Sequence, residues 1–256
     1  MARHSGIEPS VTANPYDRLA WIYNRYIAEG FLAFAFSVIT ELFLGEVPVR
    51  GRILDLCCGT GQLARTLSQR GYRVTGLDSS RQMLRFAREN APQSEFLAAD
   101  ARSFELPGQF HGAVSTYNSL AHFDNMEELV AVFRNVHKAL LPGGLFLFDV
   151  SMEEAYRSKW RGTLSWVQAD HVCVLRPSYD GERALARNDF TVFMRRGKGW
   201  QRSDFCILQK CHRRAELRAA LNSAGFAGIR AYDAERDLKI PGERGRSFFL
   251  CRKPAL

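Results

Sequence analysis

The sequence predicts a doubly wound α/β fold with a mostly parallel, seven-stranded sheet, a helical N-terminal cap and an inserted antiparallel β-sheet. Three observations carry this. Short apolar runs alternate with helical patterns from Arg52 to Val150, as successive βαβ units require. A glycine-rich turn, Gly59-Thr60-Gly61, separates the first apolar run from the first helical pattern. Beyond Leu164 the alternation stops, and β-type segments follow one another across turn residues.

Residues 1 to 14 read as a frayed terminus. Pro15 then opens a helix dense in aromatics, Tyr16-Asp17-Arg18-Leu19-Ala20-Trp21-Ile22-Tyr23, because a first helical turn offers no partner for the N–H that proline lacks. A second helix runs from about Phe31 to Leu44 and stops near Gly45 and Pro48, so that residues 1–48 form a cap. This apolar stretch is too short to span a bilayer and contains Ser37, Thr40 and Glu41, which argues for a core-facing helix and against a membrane protein. Strands follow at Ile53 to Cys57, Tyr72 to Leu77, Glu95 to Ala98, Ala113 to Thr116 and Leu145 to Val150. Helices lie at Gly61 to Gln69, Arg81 to Glu89 and Asn125 to Leu140, giving a core over residues 49–158. The insertion, residues 159–212, holds three β-type segments joined by Tyr179-Asp180-Gly181-Glu182 and Gly197-Lys198-Gly199. A helix from Arg213 to Ser223 ends at Gly225. Strands near Gly228 to Tyr232 and Ser247 to Cys251 return to the main sheet, so residues 213–256 complete the core.

With 46% hydrophobic and 24% charged residues in 256, the chain can bury a core, which excludes global disorder. The net charge of +8 suits nucleic acid or an anionic surface, but the arginines are scattered without a block of like charges, as on a solvated surface. The six cysteines, at 57, 58, 173, 206, 211 and 251, lack CxxC spacing, which argues against a metal or redox centre; Cys206, Cys211 and His212 read as buried groups. A reduced, cytoplasmic chain without a signal peptide fits best.

The run Ile53-Leu54-Asp55-Leu56-Cys57-Cys58-Gly59-Thr60-Gly61-Gln62-Leu63-Ala64 puts bare backbone where a ligand must approach closely. It also satisfies the dinucleotide pattern with alanine in last place, and Asp78 stands near the ~20-residue spacing of a ribose-binding acid. Asp55 separates the readings. A carboxylate at the end of the first strand repels a pyrophosphate, whereas S-adenosylmethionine brings an ammonium and a sulfonium and no phosphate. The alternative is that Asp55 only hydrogen-bonds amides of the turn.

Together with Gly76-Leu77-Asp78-Ser79-Ser80, Met83-Leu84, Ala99-Asp100-Ala101 and Leu141-Pro142-Gly143-Gly144, standing in order, this run makes residues 50 to 150 resemble the class I S-adenosylmethionine-dependent methyltransferases. The resemblance implies a Rossmann-like core with S-adenosyl-L-methionine as cofactor. Backbone around Gly59 and Gly61 lies against its methionine part, and Asp78 takes the ribose hydroxyls. Met83 packs on adenine, and Asp100 accepts from the adenine amino group with the Ala101 backbone alongside. Tyr16, Asp55, Cys57, Ser79 and Tyr117 complete the expected cofactor site. For Asp78 and Asp100, capping of the following helix is the alternative.

Methyl transfer is an in-line displacement with a good leaving group, so the protein chiefly aligns the acceptor's lone pair and excludes water. A base is needed only if the acceptor arrives protonated. His122, in Thr116-Tyr117-Asn118-Ser119-Leu120-Ala121-His122-Phe123 after the fourth strand, is the candidate base or orienting group; a helix-entry residue is the alternative. This segment is similar to small-molecule methyltransferases, including N-methyltransferases of nucleotide-linked amino sugars. In these a histidine here and an N-terminal tyrosine matching Tyr16 lie near the reacting centre. Tyr16 and His122 are therefore the expected catalytic pair, with Tyr23, Asn118, His122 and Tyr156 binding the acceptor. Tyr23 and Tyr26 read equally as the apolar stripe of a cap helix.

The expected activity is methyl transfer to N or O of a small-molecule acceptor. An RNA-directed methyltransferase is favoured by the charge but lacks an Asn-Pro-Pro-Tyr type motif. An NAD-dependent oxidoreductase and a non-catalytic binding domain also stay open. The aromatics and arginines of the insertion, Trp166, Trp200, Arg187 and Arg202 among them, bind a phosphorylated acceptor or bases, or simply mark strands with one wet face. The insertion either supports a homodimer or covers the site.

Overall fold

The computed structural model describes residues 14–255, and the expected frayed terminus lies outside them except for Asn14. Helix α1 (Pro15–Ile22) begins where the Asn14 side chain accepts from the Tyr16 amide at 3.0 Å. The sequence predicts a break between this helix and a second one beginning near Phe31, and the chain makes none. A π turn (Tyr23–Ile27) carries it straight into α2 (Ala28–Leu42), followed by a 3-10 turn at Leu44–Glu46. The only breaker in between is Gly30, which costs a helix about 1 kcal/mol. The joined run from Pro15 to Glu46 is long and apolar enough to cross a membrane, so the length argument against a span fails. Packing answers it instead: Val38, Ile39 and Phe43 are buried on the main sheet, and Leu19 and Ile22 beneath the second sheet.

The core follows in βαβ order: β1 (Arg52–Leu56), α3 (Gln62–Gln69), β2 (Arg73–Asp78), α4 (Arg81–Asn90), β3 (Glu95–Ala98), β4 (Phe110–Ser115), α5 (Met126–Ala139) and β5 (Leu140–Ser151). A short helix that the sequence did not announce, α6 (Glu153–Lys159), leads to the insertion. There β6 (Leu164–Val167), β7 (His171–Asp180), β8 (Leu185–Arg196) and β9 (Gly199–Lys210) form an antiparallel sheet in that order. Four strands stand where three were expected. The turn between β6 and β7, Gln168-Ala169-Asp170, carries no glycine or proline to mark it. After α7 (Arg214–Ser223), β10 (Ala227–Asp233) and β11 (Arg246–Arg252) close the main sheet.

The main sheet runs β10-β11-β5-β4-β1-β2-β3, with β11 antiparallel to both neighbours and the rest parallel. Its central strands are buried on both faces, which is why they read as unbroken apolar runs. Leu54, Leu56, Phe146 and Phe148 face α5 and α7; Ile53, Val114 and Leu147 face α2 and α3. The order in which strands are added reverses between β1 and β4, so a crevice opens at their carboxyl ends, the usual ligand position in such sheets.

Gly61 shows how closely the parts fit. It is left-handed (φ +82°), and a Cβ there would stand 2.9 Å from the Ala87 Cα. Its bare backbone lets α3 approach α4, and it does not reach the ligand crevice. Gly61→Ala combines left-handed strain with overpacking, and is expected to lower the unfolding free energy by about 3 kcal/mol in a denaturant titration.

Candidate active site

The turn after β1 places three alternate residues in left-handed backbone: Cys57 (φ +57°), Gly59 (φ +53°) and Gly61. Asp78 ends β2 beside it. Its Oδ2 accepts from the Gly59 amide (2.9 Å) and its Oδ1 from the Ser80 amide (2.8 Å), so one carboxylate fixes the turn and opens α4. Burial pushes that carboxyl above the usual range, and the Ser80 and Gly59 amides offset part of the shift. Ser80 Oγ accepts from the Met83 amide and donates to Asp17 Oδ1 (2.6 Å), while Asn14 donates to Ser79 Oγ (3.0 Å). These bonds seat α1 on the start of α4.

The elements enclose a cavity of about 490 Å³. Tyr16, Tyr23, Cys57, Gly59, Asp78, Ser79, Met83, Asp100, Ala101, Tyr117 and His122 line it. Asp55, Gly61, Asn118 and Tyr156 do not. Asp55 is 2% exposed, its Oδ2 has no partner among the described residues, and burial beside Asp78 pushes its carboxyl up to about 8. Burial thus favours its protonated form and the side chain is sealed from the cavity, so the charge argument made from Asp55 finds no support in its position. The cavity's own acids take that part: Asp78, Asp100 and Asp124 line it against one arginine, Arg102.

Asp100 is not the free acceptor that the sequence implied. Arg102 grips it through Nε and Nη2, at 2.6 Å for the shortest contact, and donates its own amide to Oδ1 (2.8 Å). The side-chain bonds from Arg102 hold the Asp100 carboxyl below its usual range. Arg102 also reaches Glu128 at 2.6 Å, which ties this lip of the cavity to α5.

Tyr16 and His122, 106 residues apart, meet at the cavity wall with the phenol oxygen 2.7 Å from Nε2. The other ring nitrogen, Nδ1, lies 3.0 Å from the carbonyl oxygen of Leu208 on β9. A carbonyl only accepts, so Nδ1 carries the hydrogen, and in the neutral ring Nε2 accepts from the Tyr16 hydroxyl. Burial pushes the imidazole down to about 4, so this neutral form prevails at physiological pH. Burial, with the Asp78 charge, also pushes the Tyr16 phenol far above its usual value. The pair thus presents a phenol oxygen whose hydrogen is committed to His122 and whose lone pairs are left for a ligand.

The loop after β4 holds two adjacent non-glycine residues in left-handed backbone, Tyr117 (φ +66°) and Asn118 (φ +60°). Asp149, wholly buried at the end of β5, compensates: its Oδ1 accepts from the Tyr117 amide (2.6 Å) and its Oδ2 from the Asn118 amide (3.1 Å). Arg246 on β11 pairs with Asp149 and, at 3.0 Å, with Glu243. Burial disfavours the Arg246 cation, but the Asp149 and Glu243 charges outweigh it and hold its pKa above the usual value. Tyr117 is thereby set edge-on to Phe31 and Tyr23.

A second cavity of about 490 Å³ adjoins the first, between α2, α6 and the inserted sheet. Tyr16, Tyr23, Tyr117 and Ile207 line both and form the boundary. Asn118 belongs to this second cavity. Tyr156 lines neither: it is wholly buried, and its hydroxyl accepts from Asn118 Nδ2 (2.8 Å), so it supports Asn118 and does not face an acceptor. Arg102, Asp149 and Arg246 were missed from sequence. Asp149 ends a strand just as Asp78 does, and that signal was available; Arg246 and the Leu208 carbonyl are brought in by sheet pairing, which leaves no local mark.

Residues 53–144 match the model of a methyltransferase domain. A Bacillus subtilis protein named as a methyltransferase, YqeM, is 29% identical over 93% of this chain and 97% of its own length. The dTDP-3-amino-3,4,6-trideoxy-alpha-D-glucopyranose N,N-dimethyltransferase of Streptomyces venezuelae is 29% identical over 74% of this chain and 81% of its own. Among solved structures, an S-adenosylmethionine-dependent methyltransferase from Clostridium acetobutylicum superposes with a TM-score of 0.74 at 18% identity, covering 94% of this chain and 100% of that one. Fold and sequence define a methyltransferase. The chain carries a methyltransferase domain on the class I fold and is an S-adenosylmethionine-dependent methyltransferase, with S-adenosyl-L-methionine as its cofactor.

Proposed function

We propose that the enzyme methylates a nitrogen of a small-molecule amine, held where the two cavities meet. The observation that carries this is Tyr16, which stands on the boundary of the two cavities with its hydroxyl bonded to His122 of the first. The Streptomyces venezuelae relative, named as an N,N-dimethyltransferase, supports nitrogen over oxygen.

The first cavity fits the cofactor by its donor set. Three aspartates and one already paired arginine suit a cationic compound without phosphate. When bound, S-adenosylmethionine supplies an electrophilic methyl on a sulfonium. Gly59 and Cys57 present backbone to the methionine part, with Tyr23 over the turn, where a Cβ on residue 59 would meet the Tyr23 ring at 3.5 Å. Asp78, with lone pairs beyond those taken by Gly59 and Ser80, and Ser79 serve the ribose, and Met83 and Ala101 flank the adenine. Asp100 reaches the adenine amino group only if Arg102 shares it.

Tyr16 accepts an N–H of the amine, which turns the nitrogen lone pair toward the methyl group; Tyr117 and Tyr23 narrow the approach and exclude water. As the product ammonium loses its proton, Tyr16 takes it and hands its own to His122 Nε2, while Leu208 holds the opposite ring hydrogen. A histidine this reluctant to charge does not keep the proton: it returns it through the same Tyr16 hydroxyl to bulk water as the product leaves the cavity.

Arg187 and Arg202 of the inserted sheet are paired with Asp189 and Asp204, which favours a small-molecule acceptor over nucleic acid. Exposed Leu164, Val167 and Trp200 on that sheet are where a second copy would pack in a homodimer. The free thiols fit a cytoplasmic setting. Calorimetry with S-adenosylhomocysteine tests the cofactor reading: Asp78→Ala should weaken binding by about tenfold or more, since a ligand hydrogen bond to a carboxylate is worth about 1.5–3 kcal/mol. Equal affinity in wild type and variant would remove Asp78 from the site, and NADH binding in place of the nucleoside would remove the site itself.

A further inference from the structure

The second cavity names the class of acceptor, given the methyl-transfer reading on which this inference rests. Its charged lining consists of Lys159, Glu243 and Arg246. Lys159 pairs with Glu243 at 2.7 Å, Glu243 with Arg246, and Arg246 with the buried Asp149 behind it. Two cations and two anions close into one chain, so among the described residues this wall holds no cation free for a phosphate or a carboxylate. An anionic group buried here would give up its hydration and find no partner, a loss of several kcal/mol per charge.

Much of the rest is aromatic: Tyr26, Phe31, Phe34, Trp160, Trp166 and Phe190 line it together with the boundary tyrosines. Tyr26 and Trp166 stack with centroids 5.8 Å apart. Such rings favour flat or cyclic apolar bodies, and their faces attract ammonium groups. Two polar atoms of the wall lack partners among the described residues, Gln209 Oε1 and Trp160 Nε1. Both atoms are sealed from the cavity, so the apolar rings and the closed ion-pair chain set the character of this wall.

We infer that the acceptor is an amine on an aromatic or alicyclic body carrying no phosphate and no carboxylate, which sets this enzyme apart from one that takes a nucleoside diphosphate sugar. The amine lies at the tyrosine boundary and the ring body among the aromatic side chains.

The full chain, first shown by calorimetry to be saturated with S-adenosylhomocysteine, is titrated with 2-phenylethylamine and separately with thymidine diphosphate, each at low and high salt. Phenylethylamine should bind saturably with little salt dependence, and thymidine diphosphate should give no binding. Trp166→Ala should weaken the amine by about tenfold or more, as loss of an aromatic anchor does, while leaving S-adenosylhomocysteine affinity in place. Glu243→Gln, which frees Lys159 and leaves Arg246 with Asp149 as its one acid partner, should create binding of phenyl phosphate that the wild type lacks. Salt-sensitive binding of thymidine diphosphate to the loaded wild type, or no saturable binding of the amine, overturns the assignment. Failure to take up S-adenosylhomocysteine at the outset would strike the methyl-transfer reading instead, so the two are told apart.

Discussion

Asp149→Ala is expected to destabilise the protein by about 4 kcal/mol, the usual cost of removing one member of a buried ion pair. For a chain of this size that corresponds to a fall of roughly 10 °C in the melting temperature. Three losses coincide. Arg246, with a side chain only 11% exposed, keeps a single acid partner; the Tyr117 and Asn118 amides lose their acceptor; and two left-handed residues lose the contact that offsets their strain. Calorimetric scanning reads the effect directly. A melting temperature within a degree or two of wild type would mean that the loop holds itself and that Asp149 is incidental.

Tyr16→Phe should lower kcat by about a hundredfold or more, the low end for losing an acid–base group, with S-adenosylhomocysteine affinity nearly unchanged. His122→Ala should do the same, and the double variant should be little worse than either, because the two side chains act as one unit. Additive losses would show instead that each acts alone. The histidine also leaves a mark on stability. With its folded pKa near 4 and the unfolded value near 6.5, the unfolded chain binds the extra proton between these values. This contribution is therefore complete above about pH 6.5 and is lost as pH falls toward 4. In His122→Ala that segment of the acid-unfolding curve should flatten.

Much of the fold was legible because doubly buried strands appear as apolar runs, and glycine or proline marks most of their ends. Glu95–Ala98 matches its expected bounds, and α5 and α7 fall within a residue of theirs. What escaped lacked such marks: the glycine-free turn before β7, the seven-residue α6, and the unbroken passage from α1 to α2. Within the site, the sequence shows which residue types end a strand but not which way they face. Asp55 and Asp78 look alike on paper, yet one is sealed beneath the turn and the other stands at its lip. The Tyr16–His122 encounter was anticipated only through family resemblance, since nothing local to either residue points to the other.

The inserted sheet has a further consequence. A main-chain oxygen at position 208 decides which imidazole nitrogen is protonated. Exchanging this segment for one from another enzyme would therefore rewrite the chemistry even if no side chain in the cleft changed. Without an oxygen at that spot, His122 could adopt its other tautomer and turn N–H toward the phenol, and Tyr16 would then be a donor to incoming molecules where it had been an acceptor. Strands that present such an oxygen are the ones that can be traded silently among these catalysts.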